Sequence, residues 1–471
     1  MKNLTYTSLI ICLLGVFTSC SKWLEVQPED RFTEEQIFAN AQGFEEAING
    51  VYLKMANNNL YGYHLSMGTV ELLAQRYAVT SSETNSKYRI ANFQYDQDVV
   101  KNVFDAIWQE AYGVVGNVNQ LLKNLDKYKD NISVSRANIM KGEALALRAY
   151  LHFDMLRLFG PIYELDSTKV SIPYYTELKP ALSPLEPANI ILDKVLDDLN
   201  AGIKLLEQDQ IHQAATEGVG VNARYRMNYY AAVALKARVL LWRGDREGAL
   251  RAATEVIQAD NKFPWVVRTA VTADPANANR VFHTEMLFSS YVSQLYQNFD
   301  SNFSDELDAS NILSAGTTTF ISYLYENITA DYRFSSLWPV SATLSVPTFI
   351  KYRDVVNKTT NPPQRFNVPL IRKSEMYYIA AECEPDMEIG LVYLNVVRNI
   401  RGLNSLTSAA NLYPEIRKEY MKEFYGEGQV WYYYKRNRIT SVMSPANFTT
   451  GVSIPLNAYV LPLPEEELMN R

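Results

Sequence analysis

Residues 228–257 place Ala231, Ala234, Ala237 and Leu241, then Ala249, Ala253 and Val256, at helical spacing on either side of Gly244-Asp245. Small side chains on both inner faces let two helices approach closely, and the Gly-Asp step supplies the turn between them. A hairpin of this kind has faces left to bury, so it predicts stacking against others like it. Residues 377–400 repeat the layout with Ala380, Ala381, Gly390, Leu391 and Leu394 around a shorter turn at Pro385-Asp386. The same periodicity predicts helices over 33–55, 104–125, 137–159, 188–206, 372–384 and 414–425, the first opened by a capping box of Thr33 and Gln36. The expected fold class is mostly α: stacked tetratricopeptide-like helix pairs, with long aromatic-rich loops forming the ligand face.

Three segments, 56–103, 160–187 and 262–369, lack sustained periodicity, and loops of such length are usually functional or disordered. Disorder goes with few aromatics, whereas the third segment carries Trp265, Tyr291, Tyr296, Phe320, Tyr325 and Trp338 among others. Ordered, aromatic-rich loops are therefore expected there. The chain holds 32 Tyr against 19 Phe and 6 Trp, a bias suited to flat, partly wet surfaces that also hydrogen-bond. Its 45 Lys plus Arg against 52 Asp plus Glu give a net charge of −7, with no basic surplus for phosphate, so nucleic acid is not an expected partner. Three Cys and four His in 471 residues make neither a disulfide framework nor a zinc module.

The N-terminus reads as an export signal. Lys2 precedes an apolar run from Leu9 to Phe17, too short for the roughly 20 residues of a spanning helix but suited to a signal-peptide core. Small residues then lead into Cys20, which predicts removal of residues 1–19 and lipid attachment at Cys20. Acyl chains worth about 0.8 kcal/mol per buried methylene would tether a water-soluble body to a bilayer. Cys383, alone on an apolar helix face, is expected in the core.

Several blocks, in order, carry a resemblance. They are Trp23 to Pro28 after the lipid Cys; Phe44, Ala47 and Asn49 to Tyr52; and Trp108, Tyr112 and Asn119. The most specific runs from Lys141 to Tyr150 and on through Phe153-Asp154 to Arg157 and Gly160. Ile371-Arg372, Ala380 to Glu382, Leu394 to Arg398, Glu423 to Trp431 and Leu461 to Pro464 complete the set. Over 20–471 the chain resembles the SusD/RagB family of surface nutrient-binding lipoproteins. Val430 and Tyr433 depart from the family's usual Arg and Asp beside Trp431. The resemblance implies a single domain, with its helical scaffold mainly in 33–55, 104–159, 188–257 and 372–425 and a loop-rich region at 262–369. It also implies a surface-exposed outer-membrane lipoprotein that captures glycan or peptide and delivers it to a TonB-dependent outer-membrane transporter. Glu143, Arg148, Asp154 and Arg157 are expected to form a buried, paired network rather than catalytic machinery.

No nucleophile elbow, zinc-protease helix or phosphate-binding loop is present, and Gly218-Val219-Gly220 lacks the context of a dinucleotide site. Asp96 and Asp98 offer oxygen ligands without the rest of a calcium loop, and Glu465-Glu466-Glu467 reads as a solvated charge run. No enzyme activity, cofactor or metal is expected. Sugar rings present apolar C–H faces that stack on flat side chains while polar neighbours bind hydroxyls. The candidate platforms are Tyr88, Tyr95, Tyr291, Tyr296 and Trp338, with Asn85, Arg89, Gln294, Asn298 and Asp300 as polar partners. A peptide lying extended along the same surface, or a scaffold binding only a protein partner, are the alternatives.

Overall fold

The computed structural model describes residues 33–469 apart from 83–84, 179–181, 215–219 and 361. The leader, Cys20 and the block 23–28 lie outside the described residues. Thr33 and Gln36 form the capping box, with Thr33 N–H donating to Gln36 Oε1 at 2.8 Å and Gln36 N–H to Thr33 Oγ1 at 3.3 Å. The helix it opens, α1 (Glu34–Ile37), stops after one turn, because Asn40 starts a new one by accepting from Gln42 N–H. That second helix is α2 (Ala41–Met55); the expected 33–55 helix is therefore two.

The scaffold continues with α3 (Ser86–Ala91), α4 (Asp98–Lys127), α5 (Val134–Phe159), α6 (Ala188–Leu206), α7 (Tyr229–Arg243) and α8 (Arg246–Gln258). After the long middle region come α9 (Leu295–Asn302), α10 (Thr318–Leu324), α11 (Lys373–Cys383), α12 (Met387–Ile400), α13 (Leu412–Glu423) and α14 (Gln429–Arg436). Each long helix packs on the next: α2 on α4, α4 on α5, α5 on α6, α6 on α7 and α7 on α8. The series then jumps 259–372 in sequence, since α11 packs directly on α8, with α12 and α13 following. The alanine-faced hairpins at 228–257 and 377–400 are thus neighbours in one array. Gly244, at φ +90°, ends α7, and Asp245 caps α8 through Gly248 N–H at 2.8 Å.

A close approach of two helices lies between α5 and α6. A Cβ on Gly202 would stand 2.9 Å from Gly142 O, and one on Gly142 2.8 Å from Gly202 O, so the two backbones touch where both residues lack side chains. Beside this crossing the Arg148 guanidinium grips Asp198 of α6 with two 2.7 Å hydrogen bonds. Glu143, Arg148, Asp154 and Arg157 of the 141–160 block divide into three local pairs instead of one network. Glu143 takes Arg226 and Tyr52, Arg148 takes Asp198, and Arg157 takes Asp154 one turn away. All four are buried and paired, as expected of a structural role.

The region 262–369 is less loop-like than its sequence suggests. It contains short helices and the strand β3 (Met286–Tyr291), which pairs antiparallel with β4 (Asn367–Arg372). The other two-stranded sheets join β1 (Val170–Pro173) to β2 (Leu185–Pro187) and β5 (Ser441–Ser444) to β6 (Asn447–Ser453). Segments of five to eight residues show no readable periodicity, which is why this region reads as loop. What fastens it is a buried ionic cluster. Arg401 holds Glu285 and Glu423, Arg372 holds Glu423 and Glu427, and Arg333 holds Asp331, Glu419 and Glu423. Burial alone would raise the Glu419 carboxyl, but Arg333, Lys422 and Arg398 overrule it and hold it down at about 2. Glu423, buried against Arg401 and Arg372, stays well below the ordinary carboxylate range.

One hydrophobic core runs from Phe38 to Leu461, and Val430, Tyr433 and Cys383 belong to it. Both departures from the family pattern fill the interior: the Tyr433 ring stacks on Tyr420 at 4.6 Å. Burial pushes the Cys383 thiol up to about 12, so it stays an unreactive thiol. Among the described residues, no helix is long and apolar enough to cross a membrane, and no group of three or more His, Cys, Asp and Glu could hold a metal ion.

Candidate functional site: an aromatic strip at the β3–β4 edge

Two of the five expected platforms come together. β3 ends at Tyr291, opposite Asn367, and α9 begins four residues on with Tyr296 in its first turn. Between them stands Phe366, whose ring lies 5.2 Å from that of Tyr291 and 4.8 Å from that of Tyr296. Phe366 has φ +61°, a left-handed conformation that costs a branched or bulky residue about 1–2 kcal/mol. The cost is met by its neighbours. Phe366 N–H donates to Tyr296 Oη at 3.1 Å, and its carbonyl accepts from Val292 N–H at 2.8 Å. Tyr225 closes the other end with its ring edge-on to Tyr291 at 5.7 Å. The result is a strip in the order Tyr225, Tyr291, Phe366, Tyr296, in which Tyr291 is 44% exposed and the other three are half-buried.

Charge and hydrogen-bonding groups flank the strip. The Arg365 guanidinium lies 4.7 Å over Phe366 and 5.5 Å over Tyr296, fixed from behind by Asp354 at 2.9 and 3.0 Å. Burial raises the Tyr296 hydroxyl to about 12, so it remains a neutral phenol. Along α9 runs a chain of amides, of which Asn298 and Asn302 are buried. Asn58 and Asn298 exchange hydrogen bonds at 3.1 and 2.7 Å, and Asn302 donates to the Asn298 carbonyl. Asn302 Oδ1 in turn accepts from Tyr63 Oη at 2.9 Å and Lys87 Nζ at 2.7 Å. Burial lowers the Lys87 ammonium below its usual value. Gln294 and Asp300 are exposed beside these amides.

Lys87 lies on α3 next to Tyr88, so this chain brings the helix that carries Tyr88 alongside α9; the Tyr88 ring is half-buried. Asn85 is spent as the α3 cap, accepting from Lys87 N–H, and Arg89 donates to Gln94. Tyr95 and Trp338 need correction as open platforms. Tyr95 packs edge-on against Phe93 and Phe104 and gives its hydroxyl to the Ala458 carbonyl at 2.8 Å, pinning the C-terminal segment. Trp338 is 6% exposed, wedged between Phe349 and Tyr425 with its indole N–H on the Tyr325 hydroxyl. A large ring in a loop-like segment is as readily a core anchor for that segment as a surface platform. Sequence reasoning missed Tyr225, Phe366, Arg365 and Asn58. Arg365-Phe366-Asn367 at the start of a buried strand carries an aromatic signal, but the left-handed backbone that turns the ring outward leaves none.

Residues 22–241 match the family model described as starch-binding associating with outer membrane, and residues 327–470 match that of the SusD family. Two SusD-like proteins of Formosa agariphila, P2 and P38, are each 26% identical, over 262 and 268 residues. Those alignments cover 55% and 56% of this chain but 47% and 46% of P2 and P38, so the match spans about half the length of these relatives. A SusD superfamily protein of Bacteroides thetaiotaomicron superposes with a TM-score of 0.72 at 23% identity, over 91% of this chain and 98% of that one. A laminarin-binding SusD-like protein superposes with a TM-score of 0.66 at 18% identity, over 92% of this chain and 98% of that one. Two matching models that together span well over half of the sequence place this chain in the SusD/RagB family, whose fold it shares over nearly its whole length.

Proposed function

We propose that the protein is a lipoprotein, anchored through Cys20 on the outer face of an outer membrane, that captures an oligosaccharide and passes it unaltered to a TonB-dependent transporter. The observation that carries the reading is the strip from Tyr225 to Tyr296, four contiguous rings with a guanidinium at one end. Ring faces take the C–H faces of pyranose units while Arg365 and the exposed Gln294 take hydroxyls. The shared fold with a laminarin-binding protein supports glycan as the cargo class. Tyr88, on the neighbouring helix α3, extends the surface.

Titration calorimetry of the full-length chain against a panel of oligosaccharides and peptides tests it. Glycan binding that weakens on Tyr291→Ala is the expected result. Affinity for peptides alone, or glycan affinity untouched by Tyr291→Ala, would replace it. Incorporation of labelled palmitate, abolished by Cys20→Ala, tests the anchor, and co-purification with a barrel transporter tests the delivery step.

A further inference from the structure

Away from the strip, α10 and α13 enclose a cleft of about 790 Å³ beneath the β5–β6 hairpin. Ligand clefts commonly fall in the range of about 300–1,000 Å³. One ring dominates it: Tyr323 is 59% exposed, and its near aromatic neighbour is Phe448 of β6 at 6.3 Å. Met421 and Met443 give the wall an apolar part, while Thr318 and Ser322 bring hydroxyls along the same helix as Tyr323. The chain reverses just beyond α10 with Glu326 and Asn327 both left-handed, at φ +54° and +55°. Their N–H groups close the helix on Tyr323 O and Ser322 O at 3.0 and 2.6 Å, and both side chains line the cleft.

The charge balance narrows the occupant. Lys418 is engaged by Glu326 at 3.0 Å and Glu415 at 2.7 Å, and Glu326 is also engaged by Lys422 at 2.5 Å. Burial acts to raise the Glu326 carboxyl, but Lys422 and Lys418 hold it below its usual value, so it stays ionised and accepting. The cleft's one cation and one anion therefore satisfy each other, and an anionic ligand would have to displace Glu326 from Lys418.

We propose that this cleft is a second carbohydrate site, independent of the strip, which takes one or two units of an uncharged sugar with a ring stacked on Tyr323 and hydroxyls on Ser322, Asn327 and the Lys418–Glu326 pair. The test uses the full-length chain and its Tyr291→Ala form, titrated with malto-, laminari- and xylo-hexaose and, separately, with an oligogalacturonate. In both backgrounds Tyr323→Ala is expected to weaken a neutral hexaose roughly tenfold, with Asn327→Ala acting in the same direction. Tyr323→Phe keeps the ring and its packing, and is expected to retain the affinity. Neutral-glycan binding that depends on Tyr291 but ignores Tyr323 overturns the cleft while leaving the strip intact. The converse leaves the cleft and removes the strip. Binding of none of the hexaoses, or equal Tyr323-dependent binding of the oligogalacturonate, overturns the assignment.

Discussion

Arg401 and Glu285 meet through two hydrogen bonds, of 2.9 and 2.6 Å, with neither side chain reached by solvent. Arg401 comes from the end of α12, and Glu285 precedes β3 by one residue, so the pair ties the middle region to the C-terminal helices. Desolvating two ions costs several kcal/mol, and the cost is offset only because Glu423 and Tyr332 complete the Arg401 shell at 2.6 Å each.

Removing one member of that set strands the rest. Arg401→Met is expected to lower the unfolding free energy by about 3–5 kcal/mol, because Glu285 and part of Glu423 are left charged and dry. Adding Glu285→Gln should restore part of that loss. A double-mutant cycle by urea denaturation measures the coupling, and purely additive losses would show that the pair is incidental.

At the α5–α6 crossing two effects compete. Gly202→Ala gains about 1 kcal/mol of helix propensity, whereas forcing a Cβ to 2.9 Å from Gly142 O should cost about 1–3 kcal/mol through overpacking. The obstacle is backbone and does not swing away. A lowered denaturation midpoint is expected, and a raised one would mean that the helices part easily.

Several buried groups, among them His64, His283 and Glu423, shape acid stability, and His152 and Glu419 show its two directions. Burial drives His152 down to about 3, so it is neutral in the fold, with Nδ1–H donating to Arg148 O and Nε2 accepting from Tyr175 N–H. The unfolded chain protonates its histidine near 6.5, so this contribution is lost progressively as pH falls from there toward 3. Glu419, held at about 2, adds stability present above its unfolded value of 4.5 and lost as pH falls toward 2. Melting curves from pH 7 to 3 should fall in two stages, and His152→Gln should flatten the upper one. A flat profile down to pH 4 would contradict the His152 assignment, and no further fall between pH 4 and 3 would contradict that of Glu419.

Phe366 can be separated from general stability. Phe366→Gly relieves a left-handed conformation worth about 1 kcal/mol, which offsets part of the lost ring packing. Glycan affinity should therefore drop by more than the fold weakens, as read by calorimetry beside thermal melting. Unchanged affinity would show that ligand does not cross this ring.

The long helices were legible because burial on one face repeats every three to four residues; 188–206 is helical over the whole stretch its periodicity marks. Their charged partners were not. Arg148 announces a buried pair, but Asp198, fifty residues away in sequence, meets it only because two glycines let α5 and α6 touch. The platforms divided for a similar reason. Tyr291 ends, and Tyr296 closely follows, the strand that pairs with β4, whereas Trp338 follows a six-residue helix that is too short to show a periodic face. Nothing in the local sequence distinguishes a ring that anchors a short segment from one that faces water.

The docking of α11 on α8 has a consequence for how the molecule is made. A nascent chain that has emerged only as far as Gln258 holds α8 against α7 alone, and its second packing partner is not synthesised until Lys373–Cys383. The array up to α7 can assemble in the order it is made, but α8 stays half-covered until the last quarter of the polypeptide arrives.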